Sequence, residues 1–428
     1  MSEQLLRDRS NRSKRAAGIA RHGRLRKSRP VLTLLKFVGA ALVVVLVSGT
    51  SVAAITAWRL NQNLSEGAVQ LIGETEGPPP KIGAIEGGFN IPIVGTDTRQ
   101  GQGGIGGDET EETGALNDVN ILLHVSQDQT NAVAVSFPRD LVVGIPECVD
   151  EDGNSKGYST EPINVALYYG GLACVVQTVS ALTGLPIQFA GMIDFLGVAD
   201  MSNAIGGVPV CVNGPVVDDE TGINLPAAGT YELSGFDALA FLRSREGVGD
   251  GSDLTRISSQ QVFLSAMVRK IKSEAVLNDL GKVYALANTA ANALTLSTSL
   301  ANIDTMVSIA LALKNIPLER VTFVQYPGRT GGEGVYSGKV QPDEYAAEQL
   351  FALIAADQPF QLPQAGDGRG SEADPNAPVP VTPPVPDPSA TPDPSETPVA
   401  PVDNSTLPLV EGVSGQTAAQ YTCSVAND

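Results

Sequence analysis

A chain of 428 residues is too long for one small core and fits two domains, or one large domain with appendages. It is 42% hydrophobic and only 5% aromatic, and its formal net charge of -19 argues against a nucleic-acid binder, which has to offset phosphate charge. Residues 1–36 hold eleven of the 28 basic residues and two of the 47 acids. The remainder therefore carries 17 bases against 45 acids, a charge of -28. A polyanion with a cationic end is not an ordinary cytosolic enzyme.

Residues 1–36 read as a basic cytoplasmic tail, and residues 37–58 as a transmembrane signal anchor. The apolar run is long enough to cross a bilayer, which takes about 20 residues. A cleaved signal peptide has a shorter apolar region, and a soluble core helix would show a polar stripe. The positive-inside rule keeps the arginines and lysines of the tail, Arg7 to Arg29, in the cytoplasm, so everything after about residue 60 is extracytoplasmic. The tail's place beside the membrane makes topology and anionic lipid a sufficient explanation of its charge, with no nucleic-acid partner.

Residues 59–87 form a polar connector containing Pro78-Pro79-Pro80. From there short apolar runs alternate with helical stretches. Strands are expected over residues 90–94, 120–126, 132–137, 187–193, 208–212 and 321–326. Helices are expected over 162–182, 195–205, 234–243, 258–275, 276–297, 300–314 and 343–356. Strands interleaved with helices predict an α/β layered domain over residues 88–360. Residues 361–402, rich in Pro, Asp, Ser and Thr, predict a disordered linker, followed by a short tail over 403–428.

All four cysteines, Cys148, Cys174, Cys211 and Cys423, lie in the outer part, where an oxidising compartment permits disulfides. Four cysteines allow three pairings. Cys148 with Cys174 is the local option, which leaves Cys211 either to reach Cys423 beyond the linker or to stay free with it. The absence of Cys-x-x-Cys spacing and the presence of only two histidines count against a zinc site.

Gly101, Gly103 and Gly106 spell a literal G-x-G-x-x-G, but the acidic run at residues 108–112 follows where a helix N-terminus should point amides at a pyrophosphate. A loop is the better reading. His22 falls in the tail and His124 inside a predicted strand, so a Ser-His-Asp hydrolase would rest on one sheet histidine.

The arginines say more. Arg99, Arg139, Arg243, Arg245 and Arg256 all fall at element ends, and Gln260 lies one helical turn after Arg256. Strand ends of an α/β sheet are where ligands bind, and the planar guanidinium suits phosphate oxygens. Exposed ion pairing with the abundant carboxylates is the plainer explanation for any single one of them. Asp97 follows the first predicted strand and Asp118 precedes the second. Antiparallel pairing of those strands would bring the two carboxylates together, a typical Mg2+ environment when phosphate oxygens are present.

Together these stretches resemble the LytR–CpsA–Psr family of cell-wall glycopolymer ligases. The segments are Gly95-Thr96-Asp97-Thr98-Arg99, Asn117-Asp118, Ser136-Phe137-Pro138-Arg139-Asp140, the helix-forming stretch from Ile163 to Gly171, and Arg243-x-Arg245 followed by Asp253-x-x-Arg256-x-x-x-Gln260-Gln261. The resemblance runs from about Phe89 to Ser273 and more loosely to Ala356, and a preceding anchor fits it.

What it implies is a layered α-β-α extracytoplasmic domain with a central mixed sheet, preceded by one transmembrane helix. The implied activity is transfer of a glycan with its linking phosphate from a polyprenyl-pyrophosphate carrier to a cell-wall acceptor, usually peptidoglycan. By resemblance, Asp97 and Asp118 hold Mg2+ (Mn2+ being the alternative). Arg99, Arg139, Arg243, Arg245, Arg256 and Gln260 take the pyrophosphate, with catalysis resting on Asp97, Arg139 and Arg245. An apolar slot for the isoprenoid is expected between sheet and helices, with residues 276–297 and 300–313 as candidate walls. Such chemistry asks the protein mainly to position groups and to neutralise developing charge.

Leu116 and Pro162 stand where the family carries basic residues, and Arg329 is the candidate substitute. A pyrophosphatase with water as acceptor would use the same residues, and a non-catalytic envelope regulator is the third class. The scarcity of lysine and the cysteine-bearing outer part resemble actinobacterial members, for which an arabinogalactan-type polymer is the implied glycan.

Overall fold

The structure is a computed structural model and describes residues 35–40, 43–44, 47–48, 51, 67–71, 87–99, 102, 115–150, 152–273, 276–378 and 407–427. Residues 1–34 of the basic tail, most of the anchor, Gly101, Gly103 and Gly106, the acidic run after them and residues 379–402 of the linker lie outside the described residues. Residues 1–59 and 60–428 form two separate compact units. In the first, the described residues from 35 to 51 are helical and expose Phe37, Val38, Val43, Val44 and Val47.

The second unit is built on a seven-stranded mixed sheet. Its strands, in chain order, are β1 (Phe89–Thr96), β2 (Asn117–Val125), β3 (Ala132–Phe137), β4 (Gly191–Ile193), then β7 (Leu294–Leu296), β8 (Val321–Gln325) and β10 (Gly415–Thr417). The spatial order is β7-β4-β1-β2-β3-β8-β10. Between β4 and β7 the chain makes β5 (Val208–Val212) and β6 (Gly229–Leu233). After β8 it makes β9 (Ser371–Ala373), and after β10 it makes β11 (Thr422–Ser424). These four form a second sheet, ordered β6-β5-β11-β9. The helices are α1 (Ala166–Thr183), α2 (Phe195–Ile205), α3 (Gly235–Arg243), α4 (Asp253–Ser273), α5 (Leu280–Ala293), α6 (Ile303–Lys314) and α7 (Glu344–Ala355).

Period-two alternation divides the central strands between two cores. Val94, Leu122, Val133, Val135 and Phe137 face one way and pack with Val175 and Val179 of α1 and Leu350, Phe351 and Ile354 of α7. Phe89, Ile91, Val125, Ala132 and Ala134 face the other way, toward Ala291 of α5 and Ile309 and Ala312 of α6. Helix α4 lies between this second core and the second sheet, burying Val262, Phe263 and Ala266 against β5 residues Val208, Val210 and Val212.

Residues 163–183 are apolar and long enough to cross a membrane. They are instead a kinked core helix, bent where Gly170 and Gly171 leave helical geometry. Gly171 sits at φ 61, and a side chain at Gly170 would meet Cys148 and Cys174. The two disulfides are Cys148–Cys174, which ties the 148–162 hairpin region to α1, and Cys211–Cys423, which joins paired residues of β5 and β11.

Four expectations change. The connector is not separate: Val69 bridges to Ser297 and Leu71 is buried in the first core. Residues 276–297 are not one helix, because Leu294–Leu296 leaves α5 as an edge strand antiparallel to β4. The linker is ordered at its start, where β9 pairs with β11. The tail is structural: β10 edges the main sheet and β11 sits inside the second, with Gln416 and Ser424 fully buried. Low apolar content concealed this because backbone pairing and hydrogen-bonded polar side chains, not hydrophobic runs, hold these strands.

Candidate functional site

The site forms at one end of the central strands. β1 and β2 run antiparallel, with Thr96 opposite Asn117 and Gly95 opposite Val119, so Asp118 is the extra residue of a β-bulge. A bulge breaks the alternation and re-aims the side chain it carries. Asp97 follows β1 at the same end, and its Oδ1 accepts the Leu116 N–H at 2.7 Å. Both predicted carboxylates therefore stand at the same strand ends. The motif asparagine secures them from below: Asn117, fully buried, donates to Ile163 O at 3.0 Å and accepts from Leu167 N–H at 3.0 Å, coupling β2 to the start of α1.

Arg139 enters from the end of β3. Its Nη1 donates to Asp118 Oδ1 at 2.7 Å, its backbone N–H donates to Asp253 Oδ2 at 2.9 Å, and its carbonyl accepts the Asn164 N–H. Arg256, in the first turn of α4, pairs with Asp253 at 2.5 Å and donates to the Asp118 carbonyl at 2.9 Å. Arg245 approaches the same Asp253 carboxylate at 3.8 Å. Its backbone is fixed by buried Asp218, which accepts from the Ser244 hydroxyl at 2.8 Å and from the Arg245 N–H at 3.1 Å. Arg243, at the end of α3, stacks its guanidinium on the Phe195 ring at 4.3 Å, a cation–π contact beside the N-terminus of α2. Arg99 lies close enough to Arg243 for the two charges to oppose each other.

The electrostatics are uneven. Burial works against the charge of Arg139, but Asp118, Asp140 and Asp253 outweigh it and its pKa rises. Burial lowers the pKa of Arg245, and the like charges of Arg256 and Arg139 lower it further against Asp253 and Asp118. Arg243 is lowered by burial and by Arg99, against Asp118, Asp218 and Asp97. Nε of both Arg139 and Arg256 is buried without a hydrogen-bond partner among the described residues. Arg243 and Arg245, whose charged forms burial disfavours, and the two unfilled Nε donors are features that an anion would stabilise. Two carboxylates at one strand end offer the hard oxygen donors a small divalent cation takes.

The structure thus gathers Asp97, Asp118, Arg99, Arg139, Arg243, Arg245 and Arg256 in one electrostatic neighbourhood. Gln260 is turned elsewhere: it is buried and donates to the Leu242 carbonyl at 2.8 Å, closing the end of α3 behind Arg243. Arg329 pairs with Gln341 at 3.1 Å on an exposed hairpin. That hairpin instead delivers Lys339, whose Nζ lies 2.9 Å from Asp140. Asp253 joins the site as the shared counter-charge of Arg256 and Arg245, and its spacing to Arg256 puts the two on one turn of a helix. His124 bonds Asn90 at 2.9 Å and faces Asp357 at 3.2 Å, at the opposite end of β2 from the arginines.

One face of the central strands is incompletely covered. Val94 and Leu122 on the α1 side are fully buried, whereas Ile93, Ile121 and Leu123 on the other side are only partly so. Leu264 and Val268 of α4 and Leu294, Ile303 and Met306 line the same apolar layer.

The LytR_cpsA_psr family model matches residues 54–352 of the chain. The cell wall biosynthesis protein LcpA of Corynebacterium glutamicum is 28% identical over 328 residues, 69% of this chain and 60% of that protein, so the chain spans less than two thirds of that relative. The polyisoprenyl-teichoic acid–peptidoglycan teichoic acid transferase TagT of Bacillus subtilis is 27% identical over 314 residues, 72% of this chain and 90% of TagT. Among solved structures, a LytR-Csp2A-Psr enzyme from Actinomyces oris gives a TM-score of 0.46 at 25% identity, covering 67% of this chain and 94% of that one. TagT bound to LI-WTA gives 0.47 at 22% identity, covering 68% and 98%. With most of its length matched by the family model, this chain belongs to the LytR–CpsA–Psr family.

Proposed function

We propose that this chain is a transferase that moves a glycan, with its linking phosphate, from a polyprenyl-pyrophosphate carrier to a cell-wall acceptor such as peptidoglycan. The observation that carries this reading is that the arginine cluster, with two arginines whose charge burial disfavours and with unfilled donors, stands at the end of the same strands β1 and β2 that carry the partly buried Ile93, Ile121 and Leu123. A pyrophosphate with an isoprenoid chain matches both halves at once, anion to arginines and hydrocarbon to Ile93, Ile121 and Leu123. Names among the relatives point the same way, since TagT is a teichoic acid transferase acting between a polyisoprenyl-linked polymer and peptidoglycan.

In this reading Arg245 and Arg243 bind the pyrophosphate oxygens. Arg139 holds Asp118 until the substrate arrives and then neutralises charge developing on the transferred phosphate. Asp97 and Asp118 hold Mg2+ or Mn2+, which when bound shields the same oxygens. The residues from 37 to 58 serve as a single-pass anchor that keeps the domain at the membrane surface, where the carrier lies. The test is incubation of the purified chain with a polyprenyl-pyrophosphate-linked glycan, divalent cation and peptidoglycan. A covalent glycan–peptidoglycan product supports the reading. Release of free glycan phosphate with no such product would show water to be the acceptor and sink it.

A further inference from the structure

The loop between Arg245 and Asp253 carries, at its two ends, an arginine of the site and the carboxylate that Arg245 and Arg256 share. This loop does not hold itself. Its inner hydrogen bonds are local, Val248 N–H to Arg245 O and Gly251 N–H to Val248 O. Asp218 accepts the Arg245 N–H, Thr255 of α4 donates to Asp250, and Val248 is buried against the second sheet, but the backbone of residues 246–249 takes its external hydrogen bonds from residues 425–427. Gly249 N–H donates to Val425 O at 2.9 Å, and Asn427 N–H donates to Gly247 O at 3.2 Å. The Asn427 side chain donates to Glu246 O at 2.8 Å, and Val248 bridges Ala426 in antiparallel register.

The tail is itself anchored on three sides. Ser424 shares a 2.7 Å hydroxyl contact with Ser259 of α4, Ala426 N–H donates to Asn213 at 2.9 Å, and Cys423 is bonded to Cys211. On its other side the loop is tight: Gly249 has φ +53, and a side chain there would collide with Thr255 of α4. The loop is thus clamped between the α4 N-terminus and the tail.

We propose that residues 424–427 are a positioning element that sets the reach of Arg245 into the pyrophosphate site. Neither Asn427 nor its neighbours touch the site directly, and they act through the backbone of residues 246–249. The substrate half of this inference rests on the function proposed above, whereas the loop half does not.

Two variants of the full chain test it, Asn427→Ala and a chain ended at Ala426. Asn427 is exposed, so both should fold with nearly unchanged melting temperature. Geranyl pyrophosphate with Mg2+ is the binding probe, read by calorimetry, and hydrogen exchange reads the loop. The expected result is about tenfold weaker binding and at least tenfold faster exchange at Val248 and Gly249, with β1 and β2 unaffected. In an Arg245→Ala background, shortening the tail should weaken binding no further. Wild-type affinity and exchange in both variants would overturn the inference, and so would an equal loss with and without Arg245. If the wild-type chain fails to bind geranyl pyrophosphate, the substrate reading falls, and the exchange rates alone decide the clamp.

Discussion

Arg139 closes on Asp118 with Nη1 2.7 Å from Oδ1, a pair formed between a strand end and a β-bulge 21 residues earlier. Both side chains are only one quarter exposed. A ligand that uses either group has to replace this contact. Arg139→Ala and Asp118→Asn are each expected to lower transfer by at least about 100-fold, as loss of a preorganised charge-stabilising group does. Initial rates with a lipid-linked donor, alongside melting curves that show a folded domain, check this.

Asp253 serves three partners, Arg256, Arg245 and the Arg139 backbone N–H. It is buried together with Arg256, so Asp253→Ala leaves a buried guanidinium without its counter-charge. Breaking one side of such a pair costs about 3–5 kcal/mol. Urea unfolding should show a loss of that size, and a loss under about 1 kcal/mol would mean that Arg256 finds another partner.

Metal dependence is part of the proposed function and can be tested directly. Chelation with EDTA is expected to abolish transfer, with recovery on addition of Mg2+ or Mn2+. Asp97→Asn should raise the cation concentration required by about tenfold, roughly the effect of removing one charged ligand or its support. Full activity in EDTA would remove the cation from the proposal.

Asp218 gives a pH dependence of stability. Burial alone would raise its pKa, but bonds from the Ser244 hydroxyl and the Thr221, Arg245 and Glu220 N–H groups outweigh that and lower it. Near pH 4 the unfolded chain then binds more protons at this group than the folded one does. Its contribution is complete above the unfolded pKa of about 3.9 and disappears as pH falls through the lower folded value. Unfolding free energies measured from pH 6 to pH 3 should fall more steeply for the wild type than for Asp218→Asn.

Residues 407–427 are expected to be needed for folding. A chain ended at residue 402 loses β10 from one sheet and β11 from the other. It also loses Gln416, which donates to Gln261 O and the Ser265 hydroxyl and accepts from Thr422. Such a chain is expected to lack a cooperative unfolding transition by circular dichroism, whereas one lacking only residues 385–400 should keep it.

Local sequence settled much of this protein. Short apolar runs marked β1, β2 and β3, and the helical stretches after them marked α1 to α4, because these elements are set within a few consecutive residues. Charge scarcity in an acidic chain singled out Arg99, Arg139, Arg243, Arg245 and Arg256. Only the tertiary structure decided what each one faces. It joined Asp253 to the cluster, turned Gln260 onto Leu242, and brought Lys339 rather than Arg329 to Asp140. It also drew residues 407–427 into both sheets. These outcomes depend on backbone hydrogen bonds and charge pairs between segments up to about 200 residues apart, as Cys211 and Cys423 are. No local period encodes such a pairing; it exists only once the chain has closed on itself.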